Sequence, residues 1–349
     1  MGVYLWNTFC PTLFGTGASK EAGNKAKELG MHKVMVCTEH ALCEFKVATQ
    51  VIDVLKEAGL EVFVFDKCRA DAPSDICDEG AAYVREHGID GIVAVGGGST
   101  LDTAKAIGII ISQNGTTIRD YYGIGEAEHT MKLITLSTTS GTGSEISQWA
   151  VIGDVETGAK EMPIYKPDLA IVDPVLTYSL PAGPTAATGM DVLAHCVEAL
   201  TNRNYNPYGY IFGKEGIKLT MKWLPVAVKE PKNAEAREQM SLAANLGGMA
   251  ISACGCQIGH SFSQTFGAKH HIPHGLGCAW GLPGVMMYTA KYGERRNLEE
   301  VADAMGVVYS ADMDTMELAE VLAAKVIDLM KECTPSYRNP EESGIKRLL

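Results

Sequence analysis

Short β-branched runs alternate with amphipathic stretches through the first half of this chain, and that alternation constrains its fold more than any other feature. Val34-Met35-Val36-Cys37 is followed by a helical pattern from Ala48 to Ala58, Val62-Phe63-Val64-Phe65 by one from Ile76 to His87, and Ile92-Val93-Ala94-Val95 comes next. Strands joined through helices run parallel, and a parallel sheet needs helices on its faces. Further strands are expected at Leu133 to Leu136 and Leu169 to Val172. After Pro174 nearly every segment reads as helix: Ala186 to Leu200, Tyr208 to Trp223, Ala234 to Ile251, Val285 to Tyr292 and Leu298 to Met305, with a Gly- and His-rich stretch leading up to His274. The expectation is an α/β domain over 1–179 and an all-α domain over 180–349, with the boundary near Leu180-Pro181.

Composition narrows the class. The chain has 349 residues, 46% of them hydrophobic, enough for two domains with substantial cores. No apolar run approaches the ~18 residues that span a bilayer, and the N-terminus lacks a secretory pattern, so a cytoplasmic protein is expected, with no membrane partner. A formal charge of −12 without a Lys/Arg cluster argues against nucleic acid. The ten cysteines are scattered without a CxxC pair, so most are read as reduced core residues; Cys254 and Cys256, just upstream of His260, are set apart.

Two loops have the makings of a nucleotide site. Strand Ile92 to Val95 runs into Gly96-Gly97-Gly98-Ser99-Thr100-Leu101-Asp102, where glycine permits close backbone approach and a helix N-terminus adds partial positive charge, so a diphosphate could be cradled there. It is not the GxGxxG fingerprint. The second loop, Ser137-Thr138-Thr139-Ser140-Gly141-Thr142-Gly143-Ser144-Glu145, offers hydroxyls and amides for phosphate or ribose. Both follow strands, where nucleotides lie in open α/β sheets. Glu39, at the end of Val36-Cys37-Thr38-Glu39, could accept hydrogen bonds from a ribose diol and repel a 2′-phosphate, favouring NAD over NADP.

The second half carries metal-ligand chemistry. Asp191 and His195 stand four residues apart, on one face of a helix, and His260 and His274 supply further imidazoles. Such a donor set suits Fe(II) or Zn(II) better than calcium or magnesium and leaves a coordination position for a substrate oxygen. The alternative reading of Asp191 alone is an acid in an early helical turn, favoured there by the helix dipole. Spacing leaves His270, His271 and His274 open as the last donor. His32, His40, His87 and His129 are read as surface or satisfied core residues.

The strings GGGSTLDTAKA, TTSGTGSE, PDLAIVDPVLTYSLP, TAATGMDVLAHCVEA and IPHG together resemble the iron-dependent (group III) alcohol dehydrogenases, in the family's order, from about Phe14 to Gly306. The resemblance implies an α/β dinucleotide-binding domain followed by a helical metal domain, the architecture shared with dehydroquinate synthase. It implies Asp191, His195, His260 and His274 as metal ligands, the family motif selecting His274. It places Glu39, Gly97, Gly98, Ser99, Asp102, Thr138, Thr139, Thr142 and Lys160 at or near the cofactor, and implies a homodimer or higher homo-oligomer. The activity implied is hydride transfer between a metal-bound alkoxide and C4 of NAD, or aldehyde reduction in reverse.

Two departures stand out. Gln264 occupies a position where many family members carry a second imidazole, so a titratable relay group is missing and His271 is a candidate for orienting a ligand or a water. Family members usually continue with further C-terminal helices, so a pocket wall is expected to be absent or rebuilt. Trp149, Ile251 and Gln264 are expected to line the substrate pocket for a small or medium alcohol or aldehyde. Three rival readings are a glycerol-dehydrogenase-like zinc enzyme, a dehydroquinate-synthase-like lyase, which would call for basic residues near Asp191 or His260, and a nucleotide-binding or assembly protein without turnover.

Overall fold

The computed structural model describes residues 3–5, 10–270 and 272–334. Its contacts divide the chain into two compact units that meet in sequence at Leu180 and Pro181.

The first unit is built on a six-stranded parallel sheet of β1 (Thr12–Phe14), β2 (Lys33–Cys37), β3 (Glu61–Phe65), β4 (Gly91–Gly96), β5 (Lys132–Ser137) and β8 (Leu169–Val172), in the order β1-β8-β5-β4-β2-β3. Helices α1 (Ala22–Glu28), α2 (His40–Glu44), α3 (Val47–Glu57), α4 (Ser74–His87) and α5 (Gly98–Ser112) connect the strands, and β6 (Ile152–Gly153) pairs antiparallel with β7 (Lys160–Glu161) in a small hairpin. Successive side chains of a strand point to opposite faces. Val34, Val36, Val93, Val95, Ile134 and Leu136 therefore share one core with α1 and α3. Met35, Cys37, Ile92, Ala94 and Leu133 share another with α4 and α5. Every residue of β4 is buried, as expected of a strand covered on both sides.

The sheet order reverses between β2 and β4: the chain leaves β2 for β3 on one side and returns to β4 on the other. The carboxyl ends flanking such a reversal open a crevice, the usual ligand position in sheets of this type. The edge strand β1, pairing with β8, was not apparent from the sequence, because three residues give no usable alternation.

The second unit is helical. It comprises α6 (Ala182–Thr201), α7 (Pro207–Lys229), α8 (Ala234–Cys254), α9 (Ile258–His270), α10 (His274–Tyr292), α11 (Arg295–Met305) and α12 (Thr315–Cys333). Helix α6 is buried without interruption from Gly189 to Thr201. One expectation needs correction. Helix α7 does not end at Trp223 but runs through Pro225, since burial of Leu224, Ala227 and Val228 outweighs the ~3 kcal/mol that an internal proline costs. The Gly- and His-rich stretch, to which the sequence assigned no element, holds α9 and the start of α10. Among the described residues no helix is long and apolar enough to cross a membrane.

The hairpin that carries Lys160 is tied by Asp154, whose Oδ1 accepts from the Thr157 amide at 2.8 Å and the Thr157 hydroxyl at 2.9 Å, while Arg119 Nε lies 2.9 Å from Oδ2. The Thr157 amide is the main reason this carboxyl is held down at about 2. A folded pKa below the unfolded ~3.9 gives a stabilisation present above pH ~4 and lost as pH falls towards 2. Asp154→Ala should accordingly cost ~1.5–3 kcal/mol in urea unfolding at pH 7. The gap from the parent should narrow between pH 4 and pH 2.

Candidate metal centre and nucleotide loops

Helix α6 buries an acid, an imidazole and a second acid on one face: Asp191, His195 and, one further turn along, Glu198. Charged groups survive such burial only when paired. Asp191 lies well inside the helix and is 2% exposed, which rules out the solvated early-turn acid. Its Oδ1 stands 3.9 Å from His195 Nε2, 3.6 Å from His260 Nε2 and 3.8 Å from His274 Nε2. His195 and His260 stack with ring centroids 4.7 Å apart, and His274 meets His260 edge-on. The close approach of α10 to α6 needs Gly275, since a Cβ there would fall 2.0 Å from the Ala187 carbonyl oxygen.

The tautomers of two of these rings follow from their other nitrogen. His260 Nδ1 lies 2.8 Å from Glu198 Oε1, an acceptor, so Nδ1 carries the proton. The same Glu198 oxygen accepts from the His260 amide at 3.0 Å, and Glu198 Oε2 accepts from the Gln257 amide. Ser263 donates its hydroxyl to the His274 carbonyl at 2.7 Å, so its oxygen is left to accept from His274 Nδ1 at 3.1 Å. With both Nδ1 atoms donating, both Nε2 lone pairs face a carboxylate oxygen. Asp191 Oδ1 and His260 Nε2 are buried without a hydrogen bond among the described residues. Acceptors facing acceptors require a positive charge between them. Burial works to raise the Asp191 carboxyl, but the three imidazoles outweigh it and hold it far below the carboxylate range. Burial likewise opposes charge on His274, yet Asp191 and Cys278 raise that ring to about 9, so protons compete with a cation for the centre. Nitrogen and oxygen donors in this number fit a divalent transition ion.

At the carboxyl ends of β4 and β5 the two small-residue loops lie side by side, the Thr138 amide donating to the Gly96 carbonyl at 2.9 Å. A Cβ on Gly98 would fall 2.7 Å from Thr142 Cγ2, so the loops interlock only through glycine. No side chain caps α5, which leaves its first amides open to an anion, and Thr139 Oγ1 is buried without a hydrogen bond among the described residues. Glu39 follows β2 and accepts from the Thr100 hydroxyl at 2.9 Å, across the sheet reversal from Gly97. Ser99 Oγ accepts from the Asp71 amide at 3.2 Å, and Lys160 Nζ meets Asp71 Oδ1 at 2.5 Å, so Ser99, Asp71 and Lys160 form one cluster. The open amides, the unpaired hydroxyl and the glycine cradle fit a dinucleotide diphosphate.

Comparison with known proteins agrees with both halves. The iron-containing alcohol dehydrogenase profile matches residues 11–174, and the C-terminal profile of the Fe-containing alcohol dehydrogenase family matches 185–347. The chain belongs to the iron-containing alcohol dehydrogenase family. It is 34% identical over 309 residues to an NAD-dependent methanol dehydrogenase of Bacillus methanolicus, covering 86% of this chain and 80% of the relative. A solved 1,3-propanediol oxidoreductase superposes with a TM-score of 0.89 at 30% identity, covering 98% of this chain and 90% of that one. A sulfoacetaldehyde reductase from Bifidobacterium kashiwanohense, solved in complex with NAD+, gives 0.85 at 30% identity, covering 97% and 88%. As a family member the protein is an NAD-dependent and divalent-metal-dependent alcohol oxidoreductase.

Not every expected residue of this alcohol dehydrogenase faces its expected partner. Asp102 is turned inward: Oδ1 accepts from Ser144 Oγ at 2.5 Å and from Lys105 Nζ at 3.2 Å. The fully buried Lys105 also donates to Ser144 Oγ and to the Trp149 carbonyl at 2.7 Å, bracing the two loops from beneath. Trp149 is half-buried in the first unit; Ile251 is buried in α8, and Gln264 is half-buried in α9, one turn after His260. His270 is exposed and packs against Phe266; His271 lies outside the described residues. His32, His40 and His129 pair with acids, and His87 lies 3.0 Å from the Tyr83 carbonyl. Sequence reasoning missed Glu198, Ser263 and Cys278, although Glu198 continues the helical face of Asp191 and His195.

Glu198→Ala removes the acceptor that orients His260, and outer partners of this kind are worth ~10–100-fold in metal affinity, measurable by competition with a chelator. Glu198→Gln, which keeps an oxygen for Nδ1, should lose less. Gly98→Val should force the Thr142 loop away and weaken NADH binding by at least ~10-fold in a fluorescence titration, through contacts worth ~1–3 kcal/mol.

Proposed function

We propose that this protein interconverts small alcohols and aldehydes with NAD(H), using a divalent ion held by Asp191, His195, His260 and His274. The observation that carries the reading is the buried Asp191 Oδ1 ringed by the Nε2 atoms of His195, His260 and His274. The ion supplies Lewis acidity towards an alcohol or carbonyl oxygen, and the nicotinamide supplies the hydride acceptor or donor. Everything else is placement by the chain. Glu198 and Ser263 engage Nδ1 of His260 and His274, so that Nε2 of each ring is aimed inward as the atom offered to the ion. The α5 amides at Gly98 and Ser99 and the hydroxyls of Thr138, Thr139 and Thr142 receive the dinucleotide, with Asp102 and Lys160 supporting the loops around it. Glu39 takes the ribose diol and disfavours a 2′-phosphate, so NADH should be preferred to NADPH.

Relatives of this chain are named for methanol, 1,3-propanediol and sulfoacetaldehyde. We read this substrate as a small, uncharged alcohol or aldehyde, with Ile251, Trp149 and Gln264 the pocket residues. Gln264 can hydrogen-bond an oxygen but has no proton to exchange near neutral pH, which separates it from a histidine relay. His271 remains the candidate for proton transfer.

Anaerobic protein should oxidise NADH with short aldehydes. Chelation should abolish turnover without abolishing NADH binding, and Fe(II) or Zn(II) should restore it. His195→Ala and His274→Ala should fall to background in the same assay while still binding NADH. Turnover undiminished after complete metal removal would overturn the reading.

A further inference from the structure

One more side chain borders the centre around Asp191. Cys278 lies one turn beyond His274 in α10 and therefore on the same helical face. It is fully buried, and its Sγ stands 3.5 Å from His274 Nε2, the nitrogen that faces Asp191 Oδ1. Single donor atoms of Asp191, His260, His274 and Cys278 all lie within 4.8 Å of one another. The thiol thus adjoins a gap lined by buried acceptors, two of which have no hydrogen bond among the described residues. Cys256 also approaches His195 and His260, but it is exposed and its group lacks Asp191. Cys254, the other cysteine set apart in the sequence, turns to the Asn206 carbonyl instead.

We propose that Cys278 is a thiolate donor to the ion, so that this centre adds sulfur to its carboxylate and imidazoles and takes a thiophilic divalent ion such as zinc in preference to iron(II). The inference rests on the metal reading above. Binding breaks the S–H bond and forms a sulfur–metal bond; the proton leaves to solvent and no electron is transferred. Thiolate selects softer ions, whereas carboxylate and imidazole alone leave the choice wider.

Cobalt(II) titrated into metal-free full-length protein separates the possibilities. Visible d–d bands rising to one equivalent, together with a near-ultraviolet sulfur-to-cobalt charge-transfer band, are expected. Cys278→Ser should keep the d–d bands, lose the charge-transfer band and lower the affinity for zinc relative to iron(II) by at least ~10-fold. Stoichiometric d–d bands without charge transfer in the parent protein would overturn the thiolate assignment and leave the metal reading standing, whatever the stability of the variant. A charge-transfer band that survives Cys278→Ser and disappears in Cys256→Ser would overturn it in favour of the other cysteine. No stoichiometric cobalt binding would overturn both.

Discussion

The second unit depends on one arrangement: a buried carboxylate oxygen ringed by the imidazole nitrogens of three histidines, two of which are oriented through their other nitrogen by Glu198 and Ser263. Removing a charge from water costs several kcal/mol, so a helix buried as fully as α6 carries Asp191, His195 and Glu198 only because other elements answer them. Helix α9 brings His260 to Glu198, and α10 brings His274 to Asp191. The glycine at 275, the uninterrupted burial of α6 and the hydroxyl of Ser263 all serve this encounter. The donors come from three helices, so the centre exists only when the bundle is packed, and an ion that binds it stabilises the packed state.

The first unit solves a different problem, the reception of an anion by backbone. The reversal of strand order between β2 and β4 sets Glu39 and the glycine loop at neighbouring strand ends, and pairing of β4 with β5 sets the Thr-rich loop beside them. Lys105 holds this floor together. Desolvation lowers its basicity, but Asp102, Ser144 and the Trp149 carbonyl satisfy its ammonium group in full. Asp102 therefore belongs to the support beneath the loops rather than to their surface, a distinction that motif position alone does not make.

Much was legible in the sequence because it rests on periodicity and local chemistry. Short apolar and β-branched runs marked the strands of the parallel sheet from β2 onward, the glycine triplet marked a strand-to-helix turn, and the spacing of Asp191 and His195 placed two donors on one helical face. Glu198 and Cys278 obey the same spacing, one turn beyond His195 and His274, and extending the face argument would have found them. Where the pattern is weak, the sequence assigned nothing: a Gly- and His-rich stretch has low helix propensity, yet α9 forms because packing against its neighbours overrides propensity. Proline in α7 and the short edge strand β1 were missed for the same reason, local signals being outweighed by long-range contact.

The sequence by itself determined the class of each unit, the family, the cofactor and the need for a divalent ion, since these follow from residue types and motifs at fixed spacings along single elements. Tertiary structure alone decided which nitrogen of His260 and of His274 faces inward, because that depends on Glu198 and on Ser263, which is 11 residues from His274 in sequence and adjacent in space. It alone turned Asp102 away from the loop surface and brought Cys278 to the edge of the centre. The physical reason is common to all three: a hydrogen-bond partner or a ligand is chosen by distance and direction in the packed chain, and neither is encoded by spacing within one helix.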